Sequence, residues 1–432
     1  MAMAPRGANR YPTLFVVMLM LAGCADQAQP SEPAHGSSAA ETTMGSVTAP
    51  PSSLADPSAT PGAEGPGPST KIRQLGTALP LADGRVLLTG PTLATTWEPD
   101  WVEPYDPTTG QSGPPVSLTR QLASAAPLLD GRVLFAGGIG PDVDLEGWRA
   151  YLATAEIYDP ATGRVSPSGS TMAVPRVGHT ATPLPDGRVL IAGGIVTDAN
   201  PVTTTSADLY DPTTGAIRPT GQLGIDRAGH TAVLLDDGRV LLFGGHSGEL
   251  PAESAEIYDP TTEQFHSIAG PPAAPPGVNS ALLEDGRVLV AGMAGDDTHP
   301  VSAQAVIYDP QSGKTGEAGE LTATRGGAAV TRLLDGRVLI TGGYDGPTAL
   351  ASAEVFDPDS ETFSPTGELA TARGGHSALL LPDGRVLIVG GESCEPDAVA
   401  AEIFDPASGS FQAAPGSSGG SLGSLHLDSC PP

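Results

Sequence analysis

The chain has 432 residues and a formal net charge of −28 at pH 7, from 21 Lys and Arg against 49 Asp and Glu. A surface this acidic repels nucleic acid and anionic lipid headgroups, so the charge argues against a nucleic-acid partner and is compatible with cationic ones. The 56 glycines and 44 prolines, with only 4% aromatic residues, favour many tight turns over long helices.

Residues 1–23 form a predicted export signal. Arg6 and Arg10 make its start positive, and the mostly apolar run 13–22 has signal-peptide length but is too short to span a bilayer. The run ends in Leu-Ala-Gly-Cys, which resembles the lipobox of bacterial lipoproteins. The resemblance implies cleavage before Cys24 and a diacylglycerol on its thiol, so that this lipid is the only membrane contact. The alternative is an ordinary secretory signal with a coincidental cysteine.

Residues 24–70 are predicted to be the acylated N-terminus and a flexible linker. The linker holds eight prolines among Ser, Ala, Gly and Thr, and it has no apolar periodicity. Such a segment buries too little apolar surface to order itself, and as a random coil it spans roughly 40 Å. We therefore expect a disordered tether that holds a folded domain in the cell envelope, on the extracytoplasmic side.

Seven internal repeats occupy residues 71–415. Asp-Gly-Arg-Val-Leu occurs seven times at spacings of 47 to 56 residues, and a Tyr/Phe-Asp-Pro motif follows each copy. Asp-Gly favours a tight hairpin because glycine accepts positive φ. The apolar run after it is typical of a buried strand, and the later proline ends the next strand. Each repeat thus predicts one antiparallel sheet of four strands, which we name a to d in chain order.

The whole unit resembles the kelch repeat. It reads Arg-x-Gly-His, apolar strand, Asp-Gly, apolar strand, Gly-Gly, then Ala-Glu-Ile-Tyr-Asp-Pro. The resemblance implies an all-β, seven-bladed kelch-type β-propeller, similar to galactose oxidase and kelch-like propellers, in which ring closure leaves no free sheet edge. Repeats 1 and 7 are both complete, so we expect them to meet. Residues 416–432 form a Gly/Ser-rich tail.

Two cysteines remain for the exported domain. Cys394 lies in the loop after the Gly-Gly of repeat 7, and Cys430 lies in the tail. An oxidising compartment favours a disulfide between them, which would tie the tail to the last blade. Two free thiols are the alternative.

Successive turns of such a sheet lie on alternate faces of the disc. The a–b and c–d turns are short and share one face, here called the turn face. The b–c and d–a loops vary in length and share the other, here called the loop face. On the turn face, the arginine after each Asp-Gly begins strand b beside the aspartate that ends strand c. We therefore expect structural pairs such as Arg385 with Asp405 and Arg188 with Asp211.

A second set of arginines lies ten residues before each Asp-Gly aspartate, near the mouth of the central channel. Six repeats have this arginine and an acid at the start of strand c, whereas repeat 5 has Pro275 and Val306 instead. The joint loss predicts structural pairs, represented by Arg373 with Glu402, because an unpaired buried charge is costly. A ring of anion-binding arginines is the alternative. The arginines are Arg73, Arg120, Arg176, Arg227, Arg325 and Arg373, and the acids are Glu103, Glu156, Asp208, Glu256, Glu354 and Glu402.

No metal or cofactor is predicted. His179, His230 and His376 occupy one repeat position, which favours blade packing over metal ligation, and no Cys/His cluster has zinc spacing. Asp142 and Asp144 lie in an acidic stretch of repeat 2, but the EF-hand pattern is absent.

The candidate ligand site is the loop face of repeats 1 and 2. All three tryptophans lie there by sequence, with a tyrosine and acids close by, and exposed aromatics are common anchors of binding sites. We expect a glycan or a protein as the ligand, whereas a seam between blades is the other role for these rings. The candidate residues are Trp97, Trp101, Trp148, Tyr151, Asp142 and Asp144.

An enzyme is the second hypothesis. The resemblance to galactose oxidase implies a copper site with a Tyr–Cys crosslink, but the repeats contain no core cysteine for it. Kelch-like propellers also include enzymes that act on sialic acids, yet no acid/base pair stands out here. A structural or assembly protein of the envelope is the third hypothesis. The sequence favours binding over catalysis.

Overall fold

The structure is a computed structural model. It describes residues 77–90, 99–143, 149–196, 202–248, 250–252, 254–271, 279–291, 303–391, 393 and 401–417. The predicted signal, Cys24 and the linker lie outside these residues, as do Cys394, Cys430 and most of the tail. Within the described residues, no helix is long and apolar enough to cross a membrane.

Seven sheets of four antiparallel strands make up the domain, and each sheet is built from one repeat. Blade 1 has β1 (Thr77–Pro80), β2 (Val86–Gly90), β3 (Trp101–Tyr105) and β4 (Val116–Ser117). Blade 2 has β5 (Ser124–Pro127), β6 (Val133–Ala136), β9 (Thr154–Asp159) and β10 (Arg164–Thr171), with an extra b–c hairpin of β7 (Ile139–Val143) and β8 (Arg149–Tyr151). Blade 3 has β11 (Thr180–Pro183), β12 (Val189–Ala192), β13 (Ala207–Asp211) and β14 (Ala216–Pro219).

The remaining blades repeat this plan. Blade 4 has β15 (Thr231–Leu234), β16 (Val240–Phe243), β19 (Ala255–Asp259) and β20 (Gln264–Ile268), with a b–c hairpin of β17 (His246–Ser247) and β18 (Leu250–Pro251). Blade 5 has β21 (Asn279–Leu282), β22 (Val288–Ala291), β23 (Gln304–Asp309) and β24 (Lys314–Glu320). Blade 6 has β25 (Ala329–Arg332), β26 (Val338–Thr341), β29 (Ala353–Asp357) and β30 (Thr362–Pro365), with a b–c hairpin of β27 (Tyr344–Asp345) and β28 (Thr348–Ala349). Blade 7 has β31 (Ser377–Leu380), β32 (Val386–Val389), β33 (Ala401–Asp405) and β34 (Ser410–Ala413).

The Asp-Gly turns set the register of strands a and b. In blade 7, Gly384 has φ 85°, and the Leu381 amide donates to the Arg385 carbonyl at 2.8 Å. Strand b then follows with four buried apolar residues, because both of its faces are covered by neighbouring blades. The same arrangement in each repeat makes strand b the centre of its blade.

The hydrophobic core lies between blades rather than within them. Seven principal apolar clusters each join two adjacent blades, and each contains the aromatic residue of the later blade's Tyr/Phe-Asp-Pro motif. Tyr210 of blade 3, for example, lies in the same cluster as Ile157 of blade 2 and is fully buried. The recurring aromatic therefore couples each blade to the one before it.

The ring closes between blades 1 and 7. Inner strands β1 and β31 contact each other, and the Ala78 amide donates to Ser377 Oγ at 3.1 Å. The Tyr105 hydroxyl donates to the carbonyl of Pro415 at 2.7 Å. Both terminal blades are complete within their own repeats, so closure uses packing and these bonds and exchanges no strand among the described residues. The all-β, seven-bladed prediction is confirmed.

Candidate functional site

The repeated loop-face arginines act as clamps inside the blades. Arg176 is fully buried, and its guanidinium donates to Asp208 at 2.8 Å, to the Gly193 carbonyl at 2.8 Å and to the Ser206 carbonyl and hydroxyl, both at 2.9 Å. The acid in turn accepts the amide of Ala173 in the d–a connection at 3.1 Å. One clamp therefore joins the end of strand b, the start of strand c and the d–a connection.

All five arginines of this set that the structure describes make such a clamp. Arg373 pairs with Glu402 at 3.1 Å and donates to the Gly390 carbonyl at 2.7 Å. Burial lowers the pKa of Arg176 and raises that of Asp208, since each charge lies away from water and the opposite charge only partly offsets this. These guanidinium groups have no exposed donors for an external anion, so the anion-ring alternative is wrong for Arg120, Arg176, Arg227, Arg325 and Arg373.

The turn-face arginines bind different partners from those predicted. Arg385 forms its ion pair with Asp383 at 2.6 Å, whereas Asp405 accepts the Ala407 amide at 2.9 Å. Both aspartates lie at the same end of the blade, since Val386 pairs with Phe404. Asp383 is the partner because its carboxylate accepts both the amide and Nε of Arg385 across the tight turn. The expected Arg385–Asp405 ion pair is therefore wrong.

Several turn-face arginines also connect blades. Arg188 pairs with Asp186 of its own turn rather than with Asp211, and it reaches Glu263 of the next blade at 2.6 Å. Glu263 also pairs with Arg218 at 2.5 Å. Glu263 occupies the position of a turn glycine and has φ 56°, a conformation that disfavours a side chain. The inter-blade ion pairs offset part of that strain.

The equivalent histidines are buried packing groups. His376 Nε2 lies 2.8 Å from Thr341 Oγ1 of blade 6, and His230 Nε2 lies 3.0 Å from Thr180 Oγ1 of blade 3. Burial lowers the pKa of His179, His230 and His376 to about 3. Each imidazole is therefore neutral at physiological pH. Among the described residues, no group of three or more His, Cys, Asp or Glu could hold a metal ion.

Trp101 does not belong to an exposed loop. It is the first residue of β3, pairs with Gly90 and is only 5% exposed. Its ring packs in the cluster that joins blades 1 and 7, with Leu387 and Ile403 among its members. The prediction of Trp101 as an exposed binding residue is wrong, because strand c begins at Trp101, two residues before Glu103, and places the ring in the seam.

The remaining candidates lie on or beside the hairpin of blade 2. Tyr151 ends the hairpin opposite Ile139 and is half-buried against a cluster of loop-face apolar residues, whereas Asp142 is exposed. Trp97, Trp148 and Asp144 lie outside the described residues. The structure thus separates Trp101, in the seam, from Tyr151 and Asp142, on the blade 2 hairpin.

Asp100 is a loop-face residue whose environment the sequence did not reveal. Its Oδ2 accepts the Leu122 amide at 2.9 Å, and its buried Oδ1 has no hydrogen-bond partner. Burial raises the pKa of Asp100 to about 7. Leu122 itself has φ 55°, so this carboxylate holds a strained connection between blades 1 and 2. The adjoining Trp101 was the available signal for an apolar environment.

Comparison with known proteins supports the fold. The family model of the kelch motif matches residues 227–272 and 326–369, in blades 4 and 6. No curated protein sequence matches the chain. One similar solved structure is described as a novel fungal alcohol oxidase with catalytic diversity among the AA5 family, in complex with copper. It has 20% identity and a TM-score of 0.56, and the match covers 69% of this chain and 66% of that one, just under two thirds of its length.

A second similar structure is that of YjhT, with 18% identity and a TM-score of 0.51, where the match covers 69% of this chain and 98% of that one. Likeness at these identities shows the fold alone. The motif matches, the structural neighbours and the seven complete blades together support one assignment: the chain forms a kelch-type β-propeller.

Proposed function

We propose that this chain is a lipid-anchored, extracytoplasmic binding propeller that recognises a glycan or a protein through its loop face. The observation that carries this proposal is that the repeated charged residues are already paired within the fold. The described clamp arginines and their acids are buried and bonded to each other, and the Asp-Gly arginines are engaged in turns. Recognition therefore falls to groups that differ between blades.

Those differences are concentrated on the loop face. Blades 2, 4 and 6 carry added hairpins between strands b and c, and the three hairpins differ in length and sequence. The opposite face repeats the same Asp-Gly and Asp-Pro turns in every blade. A rigid scaffold with variable loops on one side is the common arrangement of a binding protein.

The proposed surface centres on the blade 2 hairpin and the b–c loop of blade 1. We assign to it Asp142 and Tyr151, which lie on that hairpin, and Trp97, Trp148 and Asp144, which are assigned by sequence. Trp101 is removed from the site because it fills the seam. Aromatic rings beside carboxylates suit a sugar face or a cationic segment of a protein.

The test removes the loop aromatics without touching the seam. Trp97 and Trp148 are replaced together by alanine in the full chain, and Leu129→Ala with Leu334→Ala serves as the matched control. Both control residues are exposed apolar side chains of the turn face, 75% and 68% exposed. Binding is read on a glycan array and by capture from an envelope extract, and folding is read as the melting temperature.

We expect the tryptophan variant to melt like the parent and to lose the captured glycan or protein, while the leucine variant keeps it. Unchanged capture by the tryptophan variant contradicts the site. Loss of capture only in the leucine variant places recognition on the turn face instead and contradicts the proposal.

The anchor is tested separately. Cys24→Ala should release soluble protein or accumulate uncleaved precursor, because the thiol that would carry the lipid is gone. Membrane fractionation with a mass measurement of the mature N-terminus reads the result. A variant that is processed normally and remains in the membrane contradicts lipidation at Cys24.

A further inference from the structure

A cavity of about 250 Å³ lies at the inner strands of four consecutive blades. The first inner-strand residues of blades 5, 6, 7 and 1 line it, together with the Gly375–His376 segment that precedes blade 7. Strand a begins at the d–a connection, so the cavity lies toward the loop face of the ring. The four first residues are Asn279, Ala329, Ser377 and Thr77.

One of these positions carries no polar side chain. Ala329 stands where the other six blades have a hydroxyl or amide residue: Thr77, Ser124, Thr180, Thr231, Asn279 and Ser377. Several of these side chains bridge to the next blade. Ser124 Oγ donates to the His179 carbonyl at 2.6 Å, for example. Between blades 6 and 7, Ala329 makes no such bridge, and other groups connect the two blades. Thr341 Oγ1 lies 2.8 Å from His376 Nε2, and the Gly375 amide donates to the Gly327 carbonyl at 2.9 Å.

The cavity retains hydrogen-bonding capacity that the fold does not use. Ser377 Oγ accepts the Ala78 amide at 3.1 Å, which leaves its own proton free to donate. The Asn279 amide nitrogen donates to the Ala328 carbonyl, and its Oδ1 remains an acceptor. The Thr77 side chain is exposed and makes no hydrogen bond within the described part of the chain. Donors and acceptors thus converge from three blades.

Among the described residues that line the cavity, none is charged. His376 forms part of the wall, and burial lowers its pKa to about 3, so the imidazole is neutral. The clamp arginines that precede blades 6 and 7 in the chain, Arg325 and Arg373, are paired with Glu354 and Glu402. Tyr344 of the blade 6 hairpin packs on Gly374, beside this wall, where a side chain at position 374 would collide with its ring. The described lining therefore combines hydroxyl, amide and imidazole groups with the apolar residues Ala329, Val330 and Ala378.

We propose that this cavity binds one uncharged sugar ring. The inference rests on the proposed function and names the ligand class at the centre of the same loop face. Its volume falls just below the range of about 300–1,000 Å³ for drug-sized ligands, which suits a single ring. Hydroxyl groups of the sugar would satisfy Thr77, Asn279 and Ser377. A charged group would lose its hydration without a counter-ion among the described wall residues.

The experiment uses the full mature chain and individual sugars. Galactose, glucose, mannose and N-acetylglucosamine are titrated by calorimetry, with N-acetylneuraminic acid as the charged comparison. Ala329→Leu fills the cavity, and Thr77→Val removes one hydroxyl at nearly constant shape. Ala82→Leu is the matched control, since Ala82 lies in a turn-face a–b turn at the position where blades 2 and 6 have leucine.

We expect at least one uncharged sugar to bind and the charged one to bind more weakly. Ala329→Leu should weaken binding at least tenfold, and Thr77→Val about fivefold, the effect of one hydrogen bond. Ala82→Leu should bind like the parent. If Ala329→Leu misfolds, Thr77→Val decides the matter, because its hydroxyl has no partner in the fold.

The inference is overturned if no uncharged sugar binds the parent, if the charged sugar binds best, or if Thr77→Val and a folded Ala329→Leu bind like the parent. The proposed function fails in a different way, when the Trp97 and Trp148 double variant keeps its full capture. Loss of capture in that variant with no sugar binding at all leaves the proposed function standing and removes the cavity.

Discussion

The clamp of Arg176 and Asp208 gives the sharpest stability test, because neither side chain has any exposed surface. Arg176→Met leaves a buried carboxylate without its counter-charge and the Gly193 carbonyl without its arginine donor, whereas the Ser206 carbonyl keeps the Gly193 amide. Removal of one partner from a buried pair costs about 3–5 kcal/mol of unfolding free energy. Arg332→Met is the control, since Arg332 pairs with Glu284 at the surface and such pairs contribute about 0–1 kcal/mol.

The double variant tests the pairing itself. Arg176→Met with Asp208→Val reproduces the state of blade 5, where Val306 stands in the acid position and Pro275 in the arginine position. With both charges gone, the double variant should be no less stable than Arg176→Met alone. The coupling energy is then at least the cost of Asp208→Val alone, about 3–5 kcal/mol. Urea unfolding followed by tryptophan fluorescence gives these values. Additive effects of the two single changes, or an Arg176→Met variant within 1 kcal/mol of the parent (about the limit for a surface pair), would refute the buried clamp.

Two further predictions concern blade 1. Trp101→Ala should lower the unfolding free energy by about 3–5 kcal/mol, since it empties the seam with blade 7, and urea midpoints compared with Trp97→Ala measure this. Asp100 has a folded-state pKa of about 7, above its ordinary value of 3.8, so the native state binds the extra proton between those values. Stability should therefore rise as the pH falls from 8 to 5, and Asp100→Asn should remove this rise in parallel thermal melts; an unchanged pH profile speaks against the buried carboxyl.

Most of the fold could be predicted from the sequence, because each repeat contains the turn and strand motifs that determine its blade. The Asp-Gly turn and the apolar run of strand b defined each blade, and the joint loss of arginine and acid in repeat 5 indicated the pair that Arg373 and Glu402 form. The repeat was sufficient for these predictions because the same positions pack in the same way in every blade. Positions that depart from the repeat could not be predicted, because their environment depends on residues that are distant in sequence.

The errors have physical reasons of that kind. Trp101 stands two residues before Glu103, in the register of strand c, yet only its contact with blade 7 shows that it is buried. Asp383 and Asp405 both lie at the end of the blade where Arg385 begins strand b. The geometry of the tight turn makes Asp383 the ion-pair partner of Arg385. The cavity beside Ala329 could not be predicted because its wall comes from four blades. The sequence did show that Ala329 is the single alanine at a position where the other repeats have hydroxyl or amide residues.

The central claim is that recognition belongs to the loop face. Amide hydrogen exchange of the full chain, measured with and without the glycan or protein that it captures, tests this most directly. The account predicts slower exchange on binding in the blade 2 hairpin, residues 139–151, and near the inner-strand starts around Ser377, with no change in the Asp-Gly turns. Protection confined to those turns, for example at residues 81–85 and 381–385, would contradict it.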